Sequence, residues 1–115
     1  MSGSTYSTNL LVPSTSFTLT GNNPKSFTTA GGSGKTLTLA FCPDCGVYMY
    51  STGETYAGIH VVKAGTLDDT KLLDGMKPFG EIQLRTKVGW VPRLAEQGFE
   101  GNPGEEEETG KGEGA

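Results

Sequence analysis

The chain has 115 residues, a formal net charge of −4 and only two cysteines. That length suits one domain, and 34% hydrophobic content makes a lean core that gains from a metal or a partner surface. Seven Lys or Arg residues are scattered between Lys25 and Lys87 without forming a stripe, which argues against nucleic acid as a partner. No secretory h-region and no run of about 18 apolar residues is present, which argues against membrane insertion. Two cysteines spaced Cys-x-x-Cys are no secreted disulfide framework, so a cytoplasmic, reducing setting is the default.

In chain order, Tyr6 to Val12 is a β-prone stretch ending at Pro13. Phe17-Thr18-Leu19-Thr20 alternates apolar and polar, which predicts a strand stopping at the turn set Gly21-Asn22-Asn23-Pro24. Ser26-Phe27-Thr28 reads as a short strand, and Ala30 to Gly34 as a flexible connection. Thr36 to Phe41 alternates cleanly, placing Leu37, Leu39 and Phe41 on one face, the predicted core face. Val47 to Tyr50, Ile59 to Val62, Ile82 to Leu84 and an extended piece from Val88 to Leu94 complete the strand set. Between them, Leu67 to Gly75 has the look of a short helical turn capped by Asp68 or Asp69. Many short strands with Gly-rich turns predict an all-β domain over residues 1–100. Residues 101–115 hold no large apolar side chain and carry the run Glu105 to Glu108, so a disordered acidic tail is expected there.

The informative motif is Phe41-Cys42-Pro43-Asp44-Cys45-Gly46. Two thiolates two residues apart bind one soft cation when a tight turn brings both sulfurs to the same side, and a following Gly supplies positive φ. A redox dithiol instead needs the pair at the start of a helix after a parallel strand. Strand-like sequence on both sides of Cys42 and Cys45 favours a zinc knuckle at a hairpin tip, with two ordinary thiols as the bland alternative. A closed structural zinc site takes four protein ligands, so this pair is half of one. His60 is the one histidine, set in an apolar strand, where a sheet-face or core role outweighs a ligand role. Gly31 to Thr36 suggests a phosphate loop only superficially, because Thr29 stands where the first Gly belongs and Thr36 opens a strand.

Several blocks in order carry a family resemblance: Ser2-Gly3-Ser4, Asn9 to Pro13, Phe41 to Gly46, Val62-Lys63-Ala64-Gly65-Thr66-Leu67-Asp68-Asp69 and Trp90. From about Met1 to Phe99 the chain resembles the glutathione-dependent formaldehyde-activating (centromere protein V-like) family. The resemblance implies an Mss4-like fold of antiparallel sheets with cysteine-bound zinc at two sites. The structural site joins an upstream Cys-x-Cys pair to the positions of Cys42 and Cys45. The catalytic site uses an upstream Cys-x-Cys-x-x-Cys set that these residues do not include.

Metal-ligand roles therefore pass to Cys42 and Cys45 alone, and no catalytic residue can be assigned. The implied activity is that of a carbon–sulfur lyase acting on the glutathione adduct of formaldehyde, S-hydroxymethylglutathione. The expectation is an N-terminally truncated relative, incomplete in its sheets and inactive as written. A non-catalytic zinc-binding scaffold, two copies of which share a four-cysteine centre, is the alternative; an enzyme of altered chemistry using the domain's cleft is a third.

Overall fold

The computed structural model describes residues 2–30 and 34–101. The connection at residues 31–33 and the expected acidic tail from residue 102 lie outside the described residues. The chain divides into two units, Ser7–Asp68 and Met1–Tyr6 with Asp69–Ala115.

The first unit is one five-stranded sheet. Its strands are β1 (Asn9–Pro13), β2 (Lys25–Ala30), β3 (Thr36–Phe41), β4 (Tyr48–Gly53) and β5 (Ile59–Lys63), in the spatial order β1-β5-β4-β3-β2. Every pairing is antiparallel. Strands 2 to 5 follow each other as neighbours, and β1 returns to cover the free side of β5, with Asn9 opposite Lys63 and Pro13 opposite Ile59. Pro13 is tolerated because β1 is an edge strand, where a missing N–H costs no ladder bond.

Central β3 carries two buried apolar side chains, Leu39 at 8% and Ala40 at 4% exposure. Leu39 lies on the expected core face, whereas Leu37 and Phe41 are half-buried and Ala40 is covered on the opposite face. Burial at the centre of the sheet is thus not confined to one face. Opposite Ala40 sits Tyr50, but opposite Phe41 sits Tyr48, so Met49 is an extra residue in β4 and the pair carries a bulge.

The strand expected over Phe17 to Thr20 is not formed. Phe17 instead ends a single 3-10 turn, Ser14–Ser16, with its N–H donating to the Ser14 carbonyl. Its ring stacks on His60, centroids 4.1 Å apart, and Leu19 is left exposed. Alternation over four residues fits a strand, and one aromatic contact outweighs it.

The second unit begins its described helix, α1 (Thr70–Asp74), at the expected cap. The Asp69 carboxylate accepts from the N–H groups of Lys71 and Leu72, both at 3.1 Å. Two strands follow, β6 (Gly80–Glu81) and β7 (Gln97–Gly98), and they pair in parallel. This corrects the expectation of antiparallel sheets throughout.

The predicted strand at Ile82 to Leu84 is also displaced, since Gln83 takes φ 57° and Leu84–Thr86 coils into a 3-10 turn. Val88 to Leu94 is not one extended piece either. The Val91 N–H donates to the Val88 carbonyl, which closes a turn that buries Val91 and leaves Trp90 75% exposed. Glu81 fastens this region. One carboxylate oxygen accepts from Arg93 Nε at 2.7 Å and from the N–H groups of Leu94 and Ala95 at 3.0 and 3.1 Å. Gly101 is buried, and its carbonyl accepts from the Gln83 N–H. Among the described residues no helix is long and apolar enough to cross a membrane.

Candidate functional site

The turn joining β3 to β4 holds both cysteines. Its backbone closes twice, with the Gly46 N–H donating to the Cys42 carbonyl and the Cys42 N–H donating to the Val47 carbonyl, each at 2.9 Å. Gly46 has φ +79°, and a Cβ there would meet nothing within 4 Å, so backbone conformation alone demands glycine. Cys42 is half-buried, Cys45 exposed, and both are free thiols.

The backbone N–H of Cys45, then that of Asp44, and then the Cys45 side chain hold the Cys42 thiol below its ordinary value. Partial burial and the Asp44 carboxylate oppose them without prevailing. N–H groups folded toward one sulfur stabilise its thiolate, the form that ligates a metal. The pair lies between two antiparallel strands, with no helix after it, which is not the setting a redox dithiol requires. Cys42 and Cys45 are the residues suited to a soft cation, and they provide two donors.

His60 lies on the sheet, as a sheet-face residue. Its Nδ1 shares a 2.8 Å hydrogen bond with Ser14 Oγ, its ring stacks on Phe17, and Tyr50 leans against it at 5.1 Å. Nothing local in the sequence pointed to Ser14, Phe17 and Tyr50 as its neighbours. His60 does not join the cysteines: among the described residues, no three of His, Cys, Asp or Glu gather around a possible metal position.

At the end of β5, Lys63 places its ammonium 4.4 Å from the centroid of the Tyr48 ring and donates to Ser7 Oγ at 3.4 Å. Burial pushes this ammonium below its ordinary pKa. In the second unit, a groove of about 520 Å³ is bordered by Phe79, Arg93, Leu94 and Gln97. It is lined by neither cysteine nor histidine.

The fold is thus a sheet-rich β-domain that carries a two-thiol turn between antiparallel strands. Over residues 1–85 the chain matches the model of the glutathione-dependent formaldehyde-activating enzyme family, and it belongs to that family. No curated protein and no solved structure matches it.

Proposed function

We propose that this chain is the sheet scaffold of a zinc-dependent carbon–sulfur lyase of the glutathione-linked type, in which Cys42 and Cys45 give two thiolates to one zinc. The observation that carries the reading is the Cys42–Gly46 turn, found inside the stretch that matches the family. The donor set fits zinc: two sulfurs on one turn, one of them already biased toward thiolate by backbone N–H groups. Bound zinc supplies Lewis acidity or lowers the pKa of a thiol.

The chain's own residues make that possible in three ways. Gly46 sets the turn, the N–H groups of Asp44 and Cys45 favour the thiolate of Cys42 over its thiol, and the β3–β4 pairing fixes the base of the turn. The remaining ligands of a four-coordinate centre come from outside this turn. The described residues alone do not assemble the three-ligand open site that metal-assisted thiol chemistry needs. The 115-residue polypeptide is therefore expected not to accelerate the formaldehyde–glutathione reaction, measured by NMR exchange between free and adduct species. Zinc-dependent acceleration that survives Cys42→Ser would overturn this reading.

A second reading rests on the accessibility of the turn, since Cys45 is exposed. Two copies meeting there complete a four-cysteine centre. Zinc titration followed by sedimentation tests it: half an equivalent of zinc per chain should drive dimerisation, and Cys42→Ser should abolish it. One tightly held zinc per monomer would exclude the shared centre.

A further inference from the structure

The two sulfurs of the β3–β4 turn are neighbours by virtue of the backbone alone. The Cys42 and Cys45 side chains are hydrogen-bond partners. Main-chain bonds keep them so: the Gly46 N–H donates to the Cys42 carbonyl and the Cys42 N–H to the Val47 carbonyl, each at 2.9 Å. At the base of that frame Phe41 pairs with Tyr48 across the two strands. None of these main-chain bonds uses a sulfur, so the thiols stay side by side whether or not a cation joins them.

The pair is also open to a small oxidant. Cys45 is exposed, Cys42 is half-buried, and both are free thiols. An accessible thiol beside a second one that can displace its first oxidation product is the arrangement of a redox-sensitive cysteine. The chain has two cysteines in all, so no third thiol competes for either partner within it. Closing a ring between residues three apart loses little chain entropy when a turn has already ordered it. Set between two strands rather than at a helix start, the pair is suited to holding a state rather than to repeated turnover.

We infer that Cys42 and Cys45 close under peroxide into a reversible disulfide within the chain, and that this closed form no longer binds zinc. One thiolate attacks a peroxide oxygen, the O–O bond breaks, and a sulfenic acid forms as hydroxide leaves and takes up a proton. The second thiol attacks the sulfenic sulfur, the S–S bond forms, and water leaves. Two electrons pass from the sulfur pair to the peroxide. Zinc is held by thiolates, and the disulfide has none to give. Among the described residues no three of His, Cys, Asp or Glu gather around a possible metal position, so no nearby set replaces the lost pair. The inference rests on the reading that this turn binds zinc, but closure of the disulfide is measured without any metal.

The test treats the full 115-residue chain with hydrogen peroxide, before and after zinc loading. Without metal, the chain should stay a monomer, lose two hydrogens by intact mass and fall from two maleimide-reactive thiols to none. Dithiothreitol should restore both. Loaded with zinc, it should release the metal to a chromogenic chelator, and the oxidised chain should take up none at concentrations that fill the reduced chain. Amide NMR shifts should change from Cys42 to Val47 and hold in β1 and β5, which marks a local event rather than unfolding. Cys42→Ser and Cys45→Ser keep the side chain's shape and remove one sulfur. Each should accumulate a sulfenic acid that dimedone traps, whereas the parent chain should give little adduct.

A covalent dimer or sulfinic acid as the main product would overturn the pairing, as would dimedone trapping in the parent equal to that in the variants. Zinc uptake by the oxidised chain equal to that of the reduced chain, or collapse of the whole spectrum on oxidation, would overturn the local loss of the metal site. A reduced chain that takes no zinc would sink the metal reading and with it that loss, while the mass and thiol counts would still decide the disulfide.

Discussion

Tyr48 and Tyr50 stand two positions apart on one strand, yet their rings serve different partners. Tyr48 lies under the Lys63 ammonium, whereas Tyr50 leans on His60 and Phe17. His60 and Lys63 are three apart on β5 and so alternate to opposite faces of the sheet. Two residues at spacing two would share a face in a regular strand. The extra residue Met49 breaks that rule, because a bulge re-aims the side chain beyond it. One inserted residue thus separates an aromatic cluster on one face from a cation with a ring beneath it on the other.

Backbone N–H groups bias Cys42 toward thiolate, so its alkylation in zinc-free protein should begin at lower pH than that of an ordinary thiol. The midpoint of its iodoacetamide reaction should fall below pH 9.0 in the folded chain and return there in urea. Peptide mass spectrometry across a pH series reads both states. Equal midpoints would mean that the turn does not hold the sulfur as described.

Two glycines should respond differently to alanine. At Gly53 a Cβ would lie 2.6 Å from the Thr36 carbonyl oxygen and 3.3 Å from Leu37 Cα, both backbone atoms of the neighbouring central strand. Gly53→Ala should cost about 1–3 kcal/mol through forced backbone movement. At Gly46 space is open and only φ +79° resists, so Gly46→Ala should cost about 1–2 kcal/mol and weaken metal binding as well. Urea denaturation with zinc titration distinguishes the two, because Gly53→Ala should leave the cysteine turn able to take metal wherever the chain remains folded.

Glu81 links acid sensitivity to the second unit. Burial pushes its carboxyl up, but the Arg93 hydrogen bond, the N–H groups of Ala95 and Leu94 and the Arg93 charge together hold it below its ordinary value. A carboxyl depressed on folding contributes stability that is complete above about pH 4.5 and is lost as pH falls through its folded value. Glu81→Gln should therefore cost about 1–2 kcal/mol at neutral pH and little at about pH 3. Denaturation curves between about pH 3 and pH 7 should converge at the acid end. A constant gap would show that shape, not charge, fastens Arg93.

The elements legible in the sequence were those whose reasons are local. Alternation marked β3, the apolar run marked β5, Asp69 satisfied its own helix terminus, and Gly46 announced its turn. Phe17 to Thr20 failed because a stacking partner 43 positions away in β5 (Phe17 to His60) decided its conformation. β6 and β7 were illegible because two-residue strands leave no period to detect, and a carboxylate bracket sets their place. At the candidate site the thiol pair was plain, since spacing carries its chemistry. The Ser7–Lys63 contact spans 56 positions, and no spacing rule reaches that far.

The return of β1 to β5 orders events in time as well as in space. As the chain leaves the ribosome, β1 emerges before the other four strands, but its ladder partner is the last of the five to be made. The hairpins β2–β3, β3–β4 and β4–β5 close over short loops, while β1 must close a long one, an entropic cost that rises slowly with length and favours late docking. The Ser7 hydroxyl oxygen, which accepts from Lys63, therefore reaches the ammonium in the final step of building this sheet. Parting of this seam would take Ser7 from the ammonium and leave Tyr48 and the thiol turn, which belong to the β3–β4 hairpin, where they are.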